Sequence, residues 1–316
     1  MRIAAIFPGQ GAQAPQLGTP WAGRPEWALV ERAEKATGES LAPLLLDAPN
    51  DDLARTREAQ LVVFLASLLA WEAAEPALRE AGVEIVAFAG HSLGQVTALV
   101  AAGAIDFDEG CRLAARRARH TQDAADARPG RLAALLGATP EQAEAACNAA
   151  PDACWIANDN APGQIVIGGT PDGLDAATAH AKAIGVKKVI RLNVGGAFHT
   201  PLMQPAADAF ANDLAAAADA GAFRDTTTPV LSNTDGRPYT DAAGWPARLS
   251  DQLVRPVRWA ATMPTLTALG ADTFVEIGPG TTLTSMAKRA VPDAALRNVA
   301  TPADLPLPLP LESPHA

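Results

Sequence analysis

The chain has 316 residues, enough to bury a substantial core as one large domain with an insert or as two moderate ones. Its 35 Asp and Glu outnumber its 25 Lys and Arg, for a net charge of −10, so a nucleic-acid-binding surface is not expected. Cys111, Cys147 and Cys154 have no metal-ligand spacing, the apolar N-terminal run is too short for a secretory signal, and no apolar run approaches the ~20 residues of a membrane span; a cytoplasmic protein with reduced thiols is expected.

A first strand, Ile3 to Phe7, runs into Pro8-Gly9-Gln10-Gly11-Ala12-Gln13. Two glycines after a strand are reminiscent of a dinucleotide fingerprint. However, Pro15 and Pro20 interrupt the helix that should follow, and no second strand ends in an acidic residue about twenty positions on. A plain flexible turn is one reading; the other is a loop that brings the Gln10 amide against a ligand oxygen. Helices are expected over 26–37 and 51–80, the second holding the longest apolar run, Leu61 to Trp71, and closing at Gly82.

From Ile85 an apolar run enters Gly90-His91-Ser92-Leu93-Gly94, and a helix-forming Gln-Val-Thr-Ala-Leu pattern follows at once. Gly-x-Ser-x-Gly between a strand and a helix is the order of a nucleophile elbow, in which close packing leaves no room for side chains at 90 and 94. The helix N-terminus then directs N–H groups at charge developing beside Ser92. The next helix, Asp106 to Asp126, carries Arg112, Arg116 and Arg119 on one solvated face. Arg117 falls on the flank of the small-residue stripe, where an arginine is either a snorkelling edge residue or a guanidinium aimed at an anion; helical geometry alone favours the edge.

Between Leu132 and Val194 the pattern reads strand (Leu132 to Leu136), helix (Pro140 to Ala149), strand (Cys154 to Ala157), strand (Gln164 to Ile167), helix (Pro171 to Ala183) and strand (Lys187 to Leu192). Thr139 and Thr170 stand as N-caps before prolines, and Asn158 to Gly163 is expected as the turn between the middle strands. This βαββαβ order suggests a small ferredoxin-like insert.

Gly195-Gly196-Ala197-Phe198-His199-Thr200-Pro201 then places a histidine between a glycine hinge and a helix start. His91 is held beside Ser92 with its ring directed elsewhere, His120 and His180 sit on helices, and His315 lies in the tail. If Ser92 needs a base, His199 is the candidate. A helix (Gln204 to Ala220), a strand-like Pro229 to Asn233, a helix around Gln252, a strand (Thr273 to Ile277) and a helix to Arg289 complete the chain before a Leu-Pro tail from about Thr301, expected to be disordered. The acids between Ser92 and His199 fall mostly on helices or in the insert, so a dyad, with the histidine oriented by a backbone carbonyl, is expected in place of a triad.

Several stretches together resemble the malonyl-CoA:acyl-carrier-protein transacylases and the acyltransferase domains of fatty-acid and polyketide synthesis. They are Phe7 to Gln13, Gly90 to Gly94, Arg117, Asn160-Ala161-Pro162-Gly163-Gln164, Ala197-Phe198-His199, Gln252-Leu253 with Pro256-Val257-Arg258-Trp259, and Ile277-Gly278-Pro279-Gly280. The resemblance implies Ser92 as nucleophile, His199 as base, Gln10 and Leu93 amides as the oxyanion hole, and the Gln252 carbonyl as the group orienting His199. It further implies Arg117 as the clamp on a malonyl carboxylate, with Gln60, His91, Phe198 and Asn160 binding substrate. Phe198 next to the histidine matches the malonyl form of the motif. Gln95 stands where the family most often has Glu, and Gln60-Leu61-Val62 lacks the usual proline.

The implied activity is malonyl transfer from malonyl-CoA to the phosphopantetheine thiol of an acyl carrier protein through acyl-Ser92. No bound cofactor or metal is expected, nor any nucleic-acid or membrane partner, and the enzyme is expected to be a monomer. A thioester hydrolase or esterase of the same fold, or a non-catalytic scaffold, are the competing readings. The expected fold is α/β: a large α/β-hydrolase-like subdomain with a parallel sheet (1–126 and 195–300), a ferredoxin-like subdomain (127–194) and a Pro-rich tail (301–316).

Overall fold

Five consecutive buried residues, Ile3 to Phe7, make β1 (Arg2–Phe7) a strand covered on both faces, as the centre of a parallel sheet requires. In the computed structural model, which describes residues 1–305, β1 leads through two short 3-10 turns and α1 (Ala28–Thr37), α2 (Ala42–Leu46) and α3 (Asn50–Leu53) to α4 (Thr56–Glu80). By length and composition α4 could cross a membrane, contrary to the reading of the apolar runs, yet 67% of its most apolar window is buried inside the protein. It is a core helix whose leucines and valines pack against the sheet, each worth about 1.5–3 kcal/mol when fully buried.

β2 (Glu84–Gly90), α5 (Gly94–Ala101) and α6 (Phe107–Ala127) follow. Next come β3 (Arg131–Leu136), α7 (Pro140–Asn148), β4 (Cys154–Ala161), β5 (Gln164–Gly169), α8 (Pro171–Ala183) and β6 (Lys188–Arg191). The C-terminal part supplies α9 (Gln204–Asp219), β7 (Val230–Leu231), β8 (Pro238–Tyr239), α10 (Trp245–Asp251), β9 (Val257–Arg258), α11 (Trp259–Ala268), β10 (Thr273–Ile277), α12 (Thr282–Ala290) and β11 (Ala295–Val299). Thr139 caps α7 in a full capping box with Gln142, and Thr170 caps α8.

The first sheet has the order β11-β10-β1-β2-β7-β8; it is parallel, as expected, from β11 to β7, and becomes mixed where β7 and β8 pair antiparallel at one edge. Alternation along β1 sends Ile3, Ala5 and Phe7 to a core shared with α4, α5, α6 and α9, and Ala4 and Ile6 to a second core under α11 and α12. The second sheet has the order β6-β3-β5-β4-β9. Its first four strands are antiparallel, while β9 joins β4 in parallel, so one strand comes from outside residues 127–194.

Two expectations need correction. Asn158 and Asn160 lie in β4 and not in a turn: two register shifts, at Ile156/Asn158 and Asp159/Ala161, keep this polar stretch in the ladder, and the reversal is confined to Pro162-Gly163. The helix expected around Gln252 ends at Asp251, leaving Gln252 at its C-cap. The tail is ordered at its start, where Asp304 accepts from Ala300 N, Thr301 N and Thr301 Oγ1. The remaining Leu-Pro stretch, 306–316, lies outside the described residues.

Candidate active site

The elbow is built by exclusion. A Cβ at Gly90 would stand 1.8 Å from the Gly94 carbonyl oxygen, and one at Gly94 would stand 2.2 Å from the Phe7 carbonyl oxygen, so strand and helix meet only because both are glycine. Between them Ser92 takes a left-handed φ of 54°, a conformation costing a non-glycine residue on the order of 1–3 kcal/mol. Asn233, two residues beyond β7, holds it there: its Oδ1 accepts from Ser92 N at 2.7 Å and its Nδ2 donates to the Gly90 carbonyl at 2.7 Å. Gln95 fixes Asn233 in turn, accepting from its backbone N–H at 2.9 Å and donating to the Leu231 carbonyl at 2.8 Å.

Ser92 Oγ has two partners. His199 Nε2 lies 2.8 Å away and Arg117 Nη2 donates to it at 3.0 Å. His199 Nδ1 is 2.6 Å from the Gln252 carbonyl, which can only accept; the proton therefore sits on Nδ1 and the Nε2 lone pair faces the serine hydroxyl. The His199 pKa is lowered to about 3: burial is the largest cause, the Gln252 bond opposes it, and Arg117 and His91 add to the lowering. The ring is neutral at physiological pH.

Arg117 is 2% exposed, so the edge position favoured by helical geometry is wrong: α4 and the elbow cover that flank of α6. Burial alone lowers its pKa to about 10, leaving it charged. Its Nη1 donates to Gln60 Oε1, its Nε has no partner, and among the described residues no carboxylate pairs with it. Arg112 and Arg116, by contrast, pair with Glu109 and Asp213 at the surface.

A cleft of about 290 Å³ opens between the sheets. Gln10, Gln60, His91, Ser92, Arg117, Asn160, Phe198 and His199 all line it. Leu93 is fully buried behind the elbow, where only its amide is of use, and Gln252 reaches the site through its carbonyl. The loop carrying Gln10 lies against the elbow: a Cβ at Gly9 would stand 2.4 Å from the His91 carbonyl oxygen and 3.6 Å from Leu93 N. His91 bridges the sheets, its Nε2 2.9 Å from Asn160 Oδ1 and its ring edge-on to Trp259 at 5.4 Å.

Sequence reasoning missed Asn233, Thr121 and the apolar wall of Leu132, Val166 and Met286. An asparagine ending a short strand was the only local signal for the first; the others act through contacts between distant elements. Chemically, the site offers an aligned hydroxyl and neutral base, a helix N-terminus beside them, and one buried, unpaired cation.

Residues 5–304 match the acyl transferase domain family. The chain is 35% identical over 297 residues to the malonyl CoA-acyl carrier protein transacylase of Bacillus subtilis, covering 91% of this chain and 90% of that one. It is 37% identical over 306 residues to the protein of the same name from Mycobacterium bovis, covering 96% and 98%. Among solved structures, an acyl carrier protein S-malonyltransferase from Vibrio cholerae superposes with a TM-score of 0.88 at 34% identity, covering 96% of this chain and 99% of that one. A malonyl-transacylase solved in complex with its type II PKS acyl-carrier protein does so with a TM-score of 0.88 at 32% identity, covering 96% and 97%.

Proposed function

We propose, for a chain that belongs to the acyl transferase family of malonyl-CoA:acyl-carrier-protein transacylases, that the dyad and the buried cation carry malonyl transfer by a ping-pong route. The observation that carries this reading is Arg117. A buried guanidinium with no carboxylate partner among the described residues, 3.0 Å from the Ser92 hydroxyl, is ready to pair with an anion that a substrate supplies.

In the first half-reaction Ser92 Oγ attacks the thioester carbonyl of malonyl-CoA while His199 Nε2 takes its proton. The Gln10 and Leu93 amides receive the oxyanion, where losing one donor typically costs on the order of 10²–10³ in rate. The C–S bond breaks, the CoA thiolate takes the proton from His199, and malonyl-Ser92 remains. In the second half the phosphopantetheine thiol of the carrier protein gives its proton to His199 and attacks the ester; the C–O bond breaks and the proton returns to Ser92 Oγ.

The neutral ring, with its Nε2 lone pair on Ser92 Oγ and its Nδ1 held by the Gln252 carbonyl, can serve both halves of the exchange. Gln60 and Phe198 shape the acyl pocket, and His91 and Asn160 join its two walls. We read the large sheet with its helices as an α/β-hydrolase-like subdomain (1–126 and 195–300), and the β3 to β6 unit as a ferredoxin-like insert (127–194). The enzyme is a cytoplasmic monomer needing no bound cofactor, since the reactive thioester and the accepting thiol arrive with the substrates.

Intact-protein mass spectrometry after adding malonyl-CoA alone tests the reading. A malonyl adduct is expected on the native enzyme and none on Ser92→Ala, while Arg117→Ala loses malonyl loading and keeps acetyl loading from acetyl-CoA. No adduct on the native enzyme would sink the transacylase reading, and rapid release of free malonate would favour a hydrolase.

A further inference from the structure

Beside Arg117 runs a closed circuit of hydrogen bonds that the acyl-transfer chemistry does not itself require. Arg117 Nη1 donates to Gln60 Oε1, Gln60 Nε2 donates to Thr121 Oγ1 at 2.9 Å, and Thr121 Oγ1 donates to the Arg117 carbonyl at 2.9 Å. All three side chains are 2% exposed or less. The polarity of the circuit has one solution. The Thr121 hydroxyl gives its single proton to the helix backbone, so it meets Gln60 as an acceptor, and Gln60 must turn its NH₂ toward Thr121 and its oxygen toward the guanidinium. With the amide reversed, NH₂ would face a cation.

We propose that Thr121 is a positioning residue for the substrate carboxylate: acting through Gln60, it decides which edge of Arg117 is free to receive that anion. Gln60 occupies Nη1. The two remaining nitrogens, Nε and Nη2, share one edge of the guanidinium; Nε has no partner among the described residues, and Nη2 faces Ser92 Oγ. A malonyl group on Ser92 therefore meets a side-on fork already aligned, with two parallel N–H donors for its two carboxylate oxygens. Without the Thr121 oxygen, Gln60 Nε2 loses its side-chain acceptor, the amide is held by the guanidinium at one end only, and the pair is freer to turn together.

This inference rests on the malonyl reading, and the experiment separates the two. Initial loading rates for malonyl-CoA and acetyl-CoA are measured on the native enzyme, Thr121→Val and Thr121→Ser, with melting curves for each. The expected result for Thr121→Val is a rise in KM for malonyl-CoA and a fall in kcat/KM of about 10- to 100-fold, the scale of a bond to a charged group. Acetyl loading falls much less, and Thr121→Ser, which keeps the hydroxyl, restores the malonyl-to-acetyl ratio. Should the valine variant not fold, Thr121→Ala removes the same hydroxyl without adding bulk and carries the same expectation. A native-like malonyl-to-acetyl ratio in the hydroxyl-free variant, or a serine variant as impaired as valine, would overturn the role of Thr121 and leave the malonyl reading standing. Failure of the native enzyme to load malonyl would remove both.

Discussion

His199 draws its properties from what surrounds it and not from an acidic partner. Enclosure holds it neutral, with the Arg117 cation and His91 adding to the effect, and the Gln252 carbonyl fixes its tautomer. Its pKa in the folded protein, about 3, lies below the ordinary value of 6.5 that the unfolded chain regains. Between those two values the unfolded chain binds a proton that the folded one refuses, so His199 makes stability fall as pH drops from 6.5 toward 3. The base itself stays competent over that window. Malonyl loading of Ser92, followed by rapid quench, is expected to keep its neutral-pH rate down to about pH 5, with no inflection near 6.5; a histidine resonance titrating near 6.5 and assigned to His199 would contradict this.

At the scale of elements, the site depends on short contacts between helix ends and strand ends. The buried Glu276 on β10 shows how one wall is held: its Oε1 accepts from Leu283 N at 3.1 Å, and its Oε2 from Thr284 N and Thr284 Oγ1 at 2.7 Å each. It anchors the first turn of α12, whose Leu283 and Met286 line the cleft. Glu276→Gln turns one acceptor into a donor facing those N–H groups. The variant is expected to lose about 1.5–3 kcal/mol in urea unfolding, the scale of a charged hydrogen bond. Unchanged stability would mean that α12 is held by its apolar face alone. A similar logic joins α5 to β7, where Gln95 and Asn233 take the strain of the elbow into a buried network.

Considered as a whole molecule, the cleft belongs to both sheets, with Ser92, Arg117 and Gln60 from one side and Asn160, Leu132 and Val166 from the other. A ligand filling it ties the two together. In the Ser92→Ala variant, which binds without turnover, malonyl-CoA at 100-fold excess over its Kd is expected to stabilise the fold by about 2.7 kcal/mol. That raises Tm on the order of 5 °C in a single calorimetric transition; a shift confined to one of two resolved transitions would mean that substrate engages one sheet only.

The elements and the elbow around Ser92 were legible in the chain because they rest on local rules: a continuous apolar run in β1, proline-marked caps at Thr139 and Thr170, and a Gly-x-Ser-x-Gly turn that only small residues allow. His199 was legible by elimination among five histidines. Arg117 was singled out by the family resemblance and not by helical geometry, since a helical wheel sees one helix and its burial comes from α4 and the elbow. The β4 bulges, the β4–β9 pairing and the hold of Asn233 on Ser92 were equally hidden, because each joins residues far apart in sequence. By itself the sequence determined the candidate groups and the local turns that present them; tertiary structure alone decided their charge state and aim, because desolvation and hydrogen-bond direction depend on what distant segments bring to the same few ångströms.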